Sequence, residues 1–288
     1  MLPLYLRNTY EKEDTDRIFF WHIPKASGST MKNILNFCFD LNRAEQLQAE
    51  PSMQFAKKNI LNMDTTSPKG LAVSYANNLV NANKVDLIVS NYFLSGSALF
   101  TDQHHGRTFT ILRHPVELAI SLFYYRRQAT WERSYQPAWT KLTFHDFVSS
   151  QHYMDNWMTR QLTGTSPWVD LTASHLERAK RMLKEKIFVG IMSEMDETLR
   201  QLKAHFGWKE KEPYCAYNYL HSAPTNQNKH PAVPKGGSTW KIVVEKEKYD
   251  MGLYYYALEL FAEQANKKYP APKGEGGGSS ISWTDKQR

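Results

Sequence analysis

Short apolar runs along the chain alternate with stretches in which apolar residues recur every three or four positions, the periods of buried strands and of helices. Arg17-Ile18-Phe19-Phe20-Trp21-His22-Ile23 is the first such run and reads as a buried strand. Small residues fill Pro24 to Thr30, and Met31 to Phe39 then has helical spacing. Val85–Ser90 and Thr108–Leu112 read as two further buried strands. Pro115 opens a helix that extends to Gln128, since proline is favoured at the first helical position. Downstream, Phe144–Ser149, His175–Lys186 and Asp196–Phe206 read as helices and Ile187–Ile191 as a strand. Glu245–Lys267 is one strongly periodic helix with Tyr254, Leu258 and Phe261 on a single face.

Other stretches carry less pattern. Residues 42–84 are polar and read as helical pieces and loops, and 129–143 as a loop rich in Trp, Tyr and Arg. Residues 213–240, with their Pro, Asn, Gly and Ser, read as a long loop. No internal repeat is visible. The alternation of strand and helix predicts an α/β fold: a central, mainly parallel sheet flanked by helices. The expected organisation is an N-terminal extension (1–16), one catalytic-sized domain (17–268) and a disordered tail (269–288) containing Gly276-Gly277-Gly278-Ser279-Ser280. In such sheets ligands bind at the carboxyl ends of the strands, so every loop that directly follows a strand is a site candidate.

Composition changes this picture modestly. With 288 residues, 41% hydrophobic and 23% charged, the chain is ordinary for a globular protein. The formal charge of +7 favours an anionic ligand. The basic residues are scattered, which argues against a nucleic-acid-binding tail. No apolar run is long enough for a signal peptide or a membrane span, so the reading is a soluble chain. Cys38 and Cys215 are the only cysteines, too few for a disulfide framework or a four-thiolate zinc site. One bridge between them is open, but two buried free thiols are expected.

Two post-strand loops carry the chemistry. In Pro24-Lys25-Ala26-Ser27-Gly28-Ser29-Thr30, small residues let backbone N–H groups converge on an anion at a helix N-terminus. Ser27, Ser29 and Thr30 add hydroxyl donors and Lys25 a cation. The nucleoside triphosphatase pattern G-x-x-x-x-G-K-[ST] is absent, because Ser29 and not lysine follows Gly28. No strand ends in an acidic residue placed to hold magnesium. The second loop, Leu112-Arg113-His114-Pro115, puts Arg113 at a strand end, where a guanidinium can hold a phosphate through two hydrogen bonds. Ser121 lies inside the helix that follows. Its functional reading is a second donor to that phosphate; its plainer reading is a bond to the preceding helical turn.

Residues 19–30, Phe-Phe-Trp-His-Ile-Pro-Lys-Ala-Ser-Gly-Ser-Thr, resemble the 5′-phosphosulfate loop of sulfotransferases that use 3′-phosphoadenosine 5′-phosphosulfate (PAPS). Residues 111–125, Ile-Leu-Arg-His-Pro-Val-Glu-Leu-Ala-Ile-Ser-Leu-Phe-Tyr-Tyr, resemble their 3′-phosphate motif, and the carbohydrate group, with the heparan sulfate 2-O- and 6-O-sulfotransferases, is most similar. The resemblance implies that Lys25, Ala26, Ser27, Gly28, Ser29 and Thr30 grip the 5′-phosphosulfate and that Arg113 and Ser121 bind the 3′-phosphate. It implies the P-loop-like nucleotide-binding fold of that family and in-line displacement by an acceptor hydroxyl, without a metal, on a glycan. The same reaction on a small alcohol, phenol or sterol, or an inactive nucleotide-binding interaction protein, remains as an alternative. The compartment is left between the cytoplasm and, if a targeting segment precedes, the Golgi lumen.

The base that takes the acceptor's proton is not settled by motif. Glycan members often have a histidine after the strand that matches Leu87–Ser90, where this chain has Asn91, and an amide cannot take a proton. His22 and His114 both flank a post-strand loop and are the candidate bases; each also has a structural reading. Glu117 is a further candidate on helix geometry. His104 and His105 precede the third strand and belong at the far end of the sheet. Arg126, Arg127, Trp131, Arg133 and Trp139 read either as an anionic-sugar surface or as a solvated helix end beside a loop anchored by tryptophans. Asn226–Lys235 reads either as a flap over the nucleotide or as a basic surface loop.

Overall fold

The computed structural model describes residues 3–48, 50–130, 135–222 and 231–267. Eight strands are spread along it: β1 (Leu6–Arg7), β2 (Arg17–Trp21), β3 (Arg43–Ala44), β4 (Phe55–Lys57), β5 (Ile60–Leu61), β6 (Leu87–Ser90), β7 (Gly106–Leu112) and β8 (Phe188–Ile191). The helices on the strand-to-strand crossovers are α1 (Gly28–Phe37), α2 (Pro68–Ala76), α3 (Phe93–Ser97), α4 (Pro115–Arg126), α5 (Phe144–Ser149), α6 (Trp157–Thr163) and α7 (Ala173–Lys186). After β8 come α8 (Met195–Phe206), α9 (Cys215–Ser222), α10 (Ser238–Lys246) and α11 (Lys248–Ala265).

The sheet runs β1-β7-β2-β6-β3-β5-β4, with β8 also on β7; every pairing is parallel except β4 with β5. Side chains alternate across it, as a two-sided strand requires. Phe19 and Trp21 of β2 face a core shared with Ile88, Phe93, Met158, Leu183 and Leu253. Phe20 faces the other layer, with Met31, Ile34, Leu35, Phe109, Leu202 and Phe206. Both faces are covered, which is why Ile18–Trp21 of β2 reads as a continuous apolar run; β7 buries Thr108 and Thr110 as well, the second bonded to the Trp21 carbonyl.

The four strands read from the pattern are present, and so is the helix after each of the two chemical loops. The structure corrects other expectations. Residues 42–84, expected as helical pieces and loops, also hold β3, β4 and β5, each of two or three residues and too short to show a period. The stretch 213–240, expected as loop, begins with α9 and ends in α10. The single helix expected over 245–267 is two, broken at Glu247. The first residues also join the fold, since Leu6 and Arg7 pair with Gly106 and Arg107. The tail from residue 269 lies outside the described residues.

The break at Glu247 has a clear cause. Asn156, in the left-handed conformation, receives a hydrogen bond on Oδ1 from the amides of Tyr249 and Asp250 and gives one from Nδ2 to the carbonyl of Lys246. Glu247 accepts from the Asn156 amide and from Tyr153, and Asp250 accepts from the amides of Met158 and Thr159 at the start of α6. This buried network docks α11 on α6. Burial pushes both carboxyls up from the usual carboxylate range; Asp250 raises Glu247 further, and Asp155 adds to the rise in each.

Cys38 and Cys215, expected as free thiols, form a disulfide with Cα atoms 5.6 Å apart. The fold brings the end of α1 against the start of α9, a proximity that a separation of 177 residues conceals. Phe37 stacks on Tyr219 beside the bridge, and α9 buries little apart from Ala216. Replacing both cysteines with alanine is expected to cost about 2–5 kcal/mol. Chemical denaturation reads this as a lower midpoint, with a steeper slope because the denatured chain is no longer cross-linked. A double variant as stable as the parent would show that no such bridge holds the fold.

Candidate active site

The register of the central strands sets the site. Trp21, the last residue of β2, is paired with Ser90 at the end of β6 and with Thr110 of β7, two residues short of that strand's end. Counting on from each pair, His22 falls level with Asn91, and Pro24 falls level with Arg113. The loops after β2, β6 and β7 therefore meet at one edge of the sheet. Short bonds lock the edge: the Trp21 indole donates to the Asn91 carbonyl at 3.2 Å, the Thr110 hydroxyl to the Trp21 carbonyl at 2.8 Å, and the His22 amide to the Ser90 carbonyl at 2.9 Å.

The first loop is tightly wound. Lys25 and Ser27 both take positive φ, 66° and 60°, conformations that cost a side-chain-bearing residue free energy. Ser27 stands at the N-cap of α1 without a side-chain cap, and no acidic residue occupies the helix's first turn. An N-terminus left in this state presents amide hydrogens and the positive end of the helix dipole to an anion. Pro24 to Ser27 form the turn, and Gly28, Ser29 and Thr30, expected in the turn, instead make the first residues of α1.

Arg113 reaches this loop from the second. Its Nη1 donates to the Lys25 carbonyl at 3.0 Å, tying the two motifs together across 88 residues. Its Nε is buried without a hydrogen bond, and the Glu117 carboxylate stands off at 3.8 Å. Burial disfavours the guanidinium's charge and Glu117 offsets this in part. A cation so placed fits an incoming phosphate. Ser121, 4% exposed, lies one turn beyond Glu117 on α4. The Lys25 ammonium sits over the ring of Tyr125, one further turn along, at 4.2 Å from its centroid.

The two candidate histidines lie on different sides of these loops. His22 points into the layer beneath α1. Its ring lies 5.7 Å from that of Phe20, and its Cδ2–Nε2 edge is packed so closely on Gly28 that a Cβ there would lie 1.9 Å from both atoms. Gly28 is therefore needed for this close approach. Burial pushes the His22 pKa down to about 4, the Lys32 ammonium adds to this, and Asn91 opposes it. Asn91 presents a buried Oδ1 that makes no well-formed hydrogen bond, yet it favours the protonated ring. His114 stands at the N-cap of α4, between Trp240 and Tyr254 with ring centroids 5.5 Å away in each case. Burial lowers its pKa first; Glu117 raises it and Lys235 lowers it.

Several sequence readings are sorted by these contacts. Arg126 lies over Trp139, and Arg127 lies over Phe123 and Tyr124 while donating to the Thr140 carbonyl. These arginines thus pin the segment after α4 in place, while Trp131 and Arg133 lie outside the described residues. Residues 226–230 also lie outside them, but Lys235 is close enough to act on His114. His104 bonds the Thr15 carbonyl and His105 contacts Arg7, both at the far end of β7. Trp240 and Tyr125 were not singled out as site residues; Tyr125 falls at the end of a motif, but nothing linear announces its contact with Lys25.

A model of the sulfotransferase family matches residues 9–257. Among solved structures, the mouse sulfotransferase SULT7A1 in complex with PAP is similar, with 14% identity over 89% of this chain and 87% of that one and a TM-score of 0.43. No curated protein matches the sequence.

The contact between His22 and Gly28 generates a direct test. Gly28→Ala is expected to cost about 1–3 kcal/mol by overpacking. Adding His22→Ala should recover much of that loss, because the clash is with the ring. Thermal unfolding of the parent, the two single variants and the double variant reads the coupling. Additive losses would mean that the ring does not rest on this glycine.

Proposed function

The chain belongs to the sulfotransferase family, and from that premise we propose that it moves a sulfuryl group from PAPS to a carbohydrate hydroxyl. The observation that carries this reading is the Arg113–Lys25 bond, which makes the two anion-binding motifs one continuous surface. Residues 17–268 are taken as the catalytic domain. Lys25, Ala26, Ser27, Gly28, Ser29 and Thr30 hold the 5′-phosphosulfate; Arg113 and Ser121 hold the 3′-phosphate.

Catalysis then rests on alignment and charge. The acceptor oxygen forms a bond to sulfur as the bond from sulfur to the bridging oxygen breaks. The electron pair stays on the departing phosphate, where the Lys25 ammonium neutralises it, and the acceptor's proton passes to a base. His22 is the base we favour, because its low pKa keeps it neutral at neutral pH and Asn91 faces its ring. His114, wedged between Trp240 and Tyr254, shapes the second loop and is the alternative. A carbohydrate acceptor is supported by the likeness of both motifs to glycan-directed members; a phenol or sterol acceptor is the competing reading. The Cys38–Cys215 bridge supports an oxidising compartment over the cytoplasm.

Incubation with sulfur-labelled PAPS and a panel of desulfated glycans, phenols and sterols tests the reading. Transfer to a glycan is expected, and Lys25→Ala should lower the rate roughly 100-fold or more. Arg113→Ala should weaken PAP binding about tenfold to a hundredfold, as the loss of hydrogen bonds to a charged group implies. Failure to bind the nucleotide overturns the assignment, and binding without transfer to any acceptor points to an inactive binding protein. With His22 as base, activity should hold steady from neutral pH downward and fall only as the pH approaches about 4, where the ring protonates. An acid limb near the ordinary histidine value of about 6.5 would rule out this ring.

A further inference from the structure

We propose that Tyr125 is a positioning residue for Lys25, holding the ammonium in place before and during sulfuryl transfer; the proposal rests on the reaction just assigned. Two contacts of the second motif converge on the first. Arg113 fixes the Lys25 backbone through its carbonyl, while the Tyr125 ring lies under the ammonium at 4.2 Å. Lys25 is thereby gripped at both ends of its length by residues of one loop and the helix that continues it. Glu117, Ser121 and Tyr125 follow one another at intervals of four on α4, which places them on one face of that helix. Ser121, assigned to the 3′-phosphate, and the lysine's support are therefore carried by the same helix.

A ring suits this role for a physical reason. A lysine side chain loses considerable rotamer freedom when one position is required of it, so a catalytic lysine gains from being held beforehand. A carboxylate partner would hold the ammonium by neutralising it and would repel the sulfate and phosphate that must approach. The quadrupole of an aromatic face attracts the cation and leaves its charge available to an anion. Lys25 takes positive φ and the Arg113 bond holds its carbonyl, so the ring supports a side chain whose backbone is already fixed.

The test compares the parent with Tyr125→Ala and Tyr125→Phe in steady-state transfer and in PAP binding. Tyr125→Ala is expected to lose roughly tenfold in kcat with the KM for PAPS within about twofold, the pattern of an interaction used in the transition state. Tyr125→Phe keeps the aromatic face and should restore most of the rate. A purely structural role predicts weaker PAP binding and a lower melting temperature in step with the rate. Parent-like kinetics for Tyr125→Ala, a raised acceptor KM with kcat intact, or a Phe variant as slow as the Ala variant would each overturn the proposal.

A second measurement is independent of turnover. The rate at which Lys25 reacts with an amine-selective reagent, read by peptide mass spectrometry, should rise in Tyr125→Ala and not in Tyr125→Phe. An unchanged rate in the Ala variant overturns the positioning role even if no acceptor is found. Absence of transfer in the parent, by contrast, bears on the assigned reaction alone.

Discussion

Everything at the functional edge depends on the parallel register of β2 between β6 and β7. Pairing Trp21 with Ser90 and Thr110 leaves three loops leaving the sheet at known heights, and the extra length of β7 raises Arg113 to the level of the first loop. A slip by one residue would turn every side chain to the opposite layer, so two covered faces hold the register firmly. Phe19 and Trp21 on one side and Phe20 on the other make such a slip prohibitive. The Arg113–Lys25 bond is a consequence of this register. Without it, a lysine and an arginine separated by 88 residues have no reason to share a site.

The site is costly for the fold in ways that the surrounding structure offsets. Lys25 and Ser27 hold unfavourable backbone angles, and Arg113 keeps a buried Nε without a partner. The His22 ring is crowded onto Gly28, where burial deprives it of charge. Each feature is unfavourable alone, and together they describe a surface completed by an anion. Lys25, Ser27 and the unbonded Asn91 Oδ1, Arg113 Nε and His114 Nδ1 lie together at this end of the sheet, whereas Phe19, Phe20, Trp21 and Phe109 beneath them are dry packing. That contrast supports a binding site more strongly than the net charge of the chain does.

How much of this was legible follows from the range of each signal. The run Arg17–Ile23 and the loop after it are local, as are Thr108–Leu112 and the Arg113-His114-Pro115 turn, so both motifs and their strand-loop-helix settings were readable. The short strands form by adding to an existing sheet, β3 on β6, β5 on β3 and β4 on β5; two or three residues carry no period of their own. The Cys38–Cys215 bridge and the ring beneath Lys25 are contacts between distant segments, invisible to spacing. Asn91 was legible as a departure from the glycan-directed pattern. Its position level with His22 needed the strand register, and it moves attention from a missing histidine to one already present in the adjacent strand.

The misread helix at 245–267 shows how such distant contacts reach the site. Apolar periodicity continues through Glu247, and only the Asn156 side chain, inserted from another segment, explains why the helix ends and restarts there. The break gives α10 and α11 different directions. Trp240 from the first and Tyr254 from the second then close on His114 from two sides. A continuous helix has one axis and would not place residues fourteen positions apart around one imidazole, since that distance is about 21 Å along the axis. The wall beside the second motif is thus built by a buried polar network that lies away from the site and joins two segments, 153–159 and 246–250, far apart in sequence. Its geometry is as much a condition for the site as the loops that carry the charges.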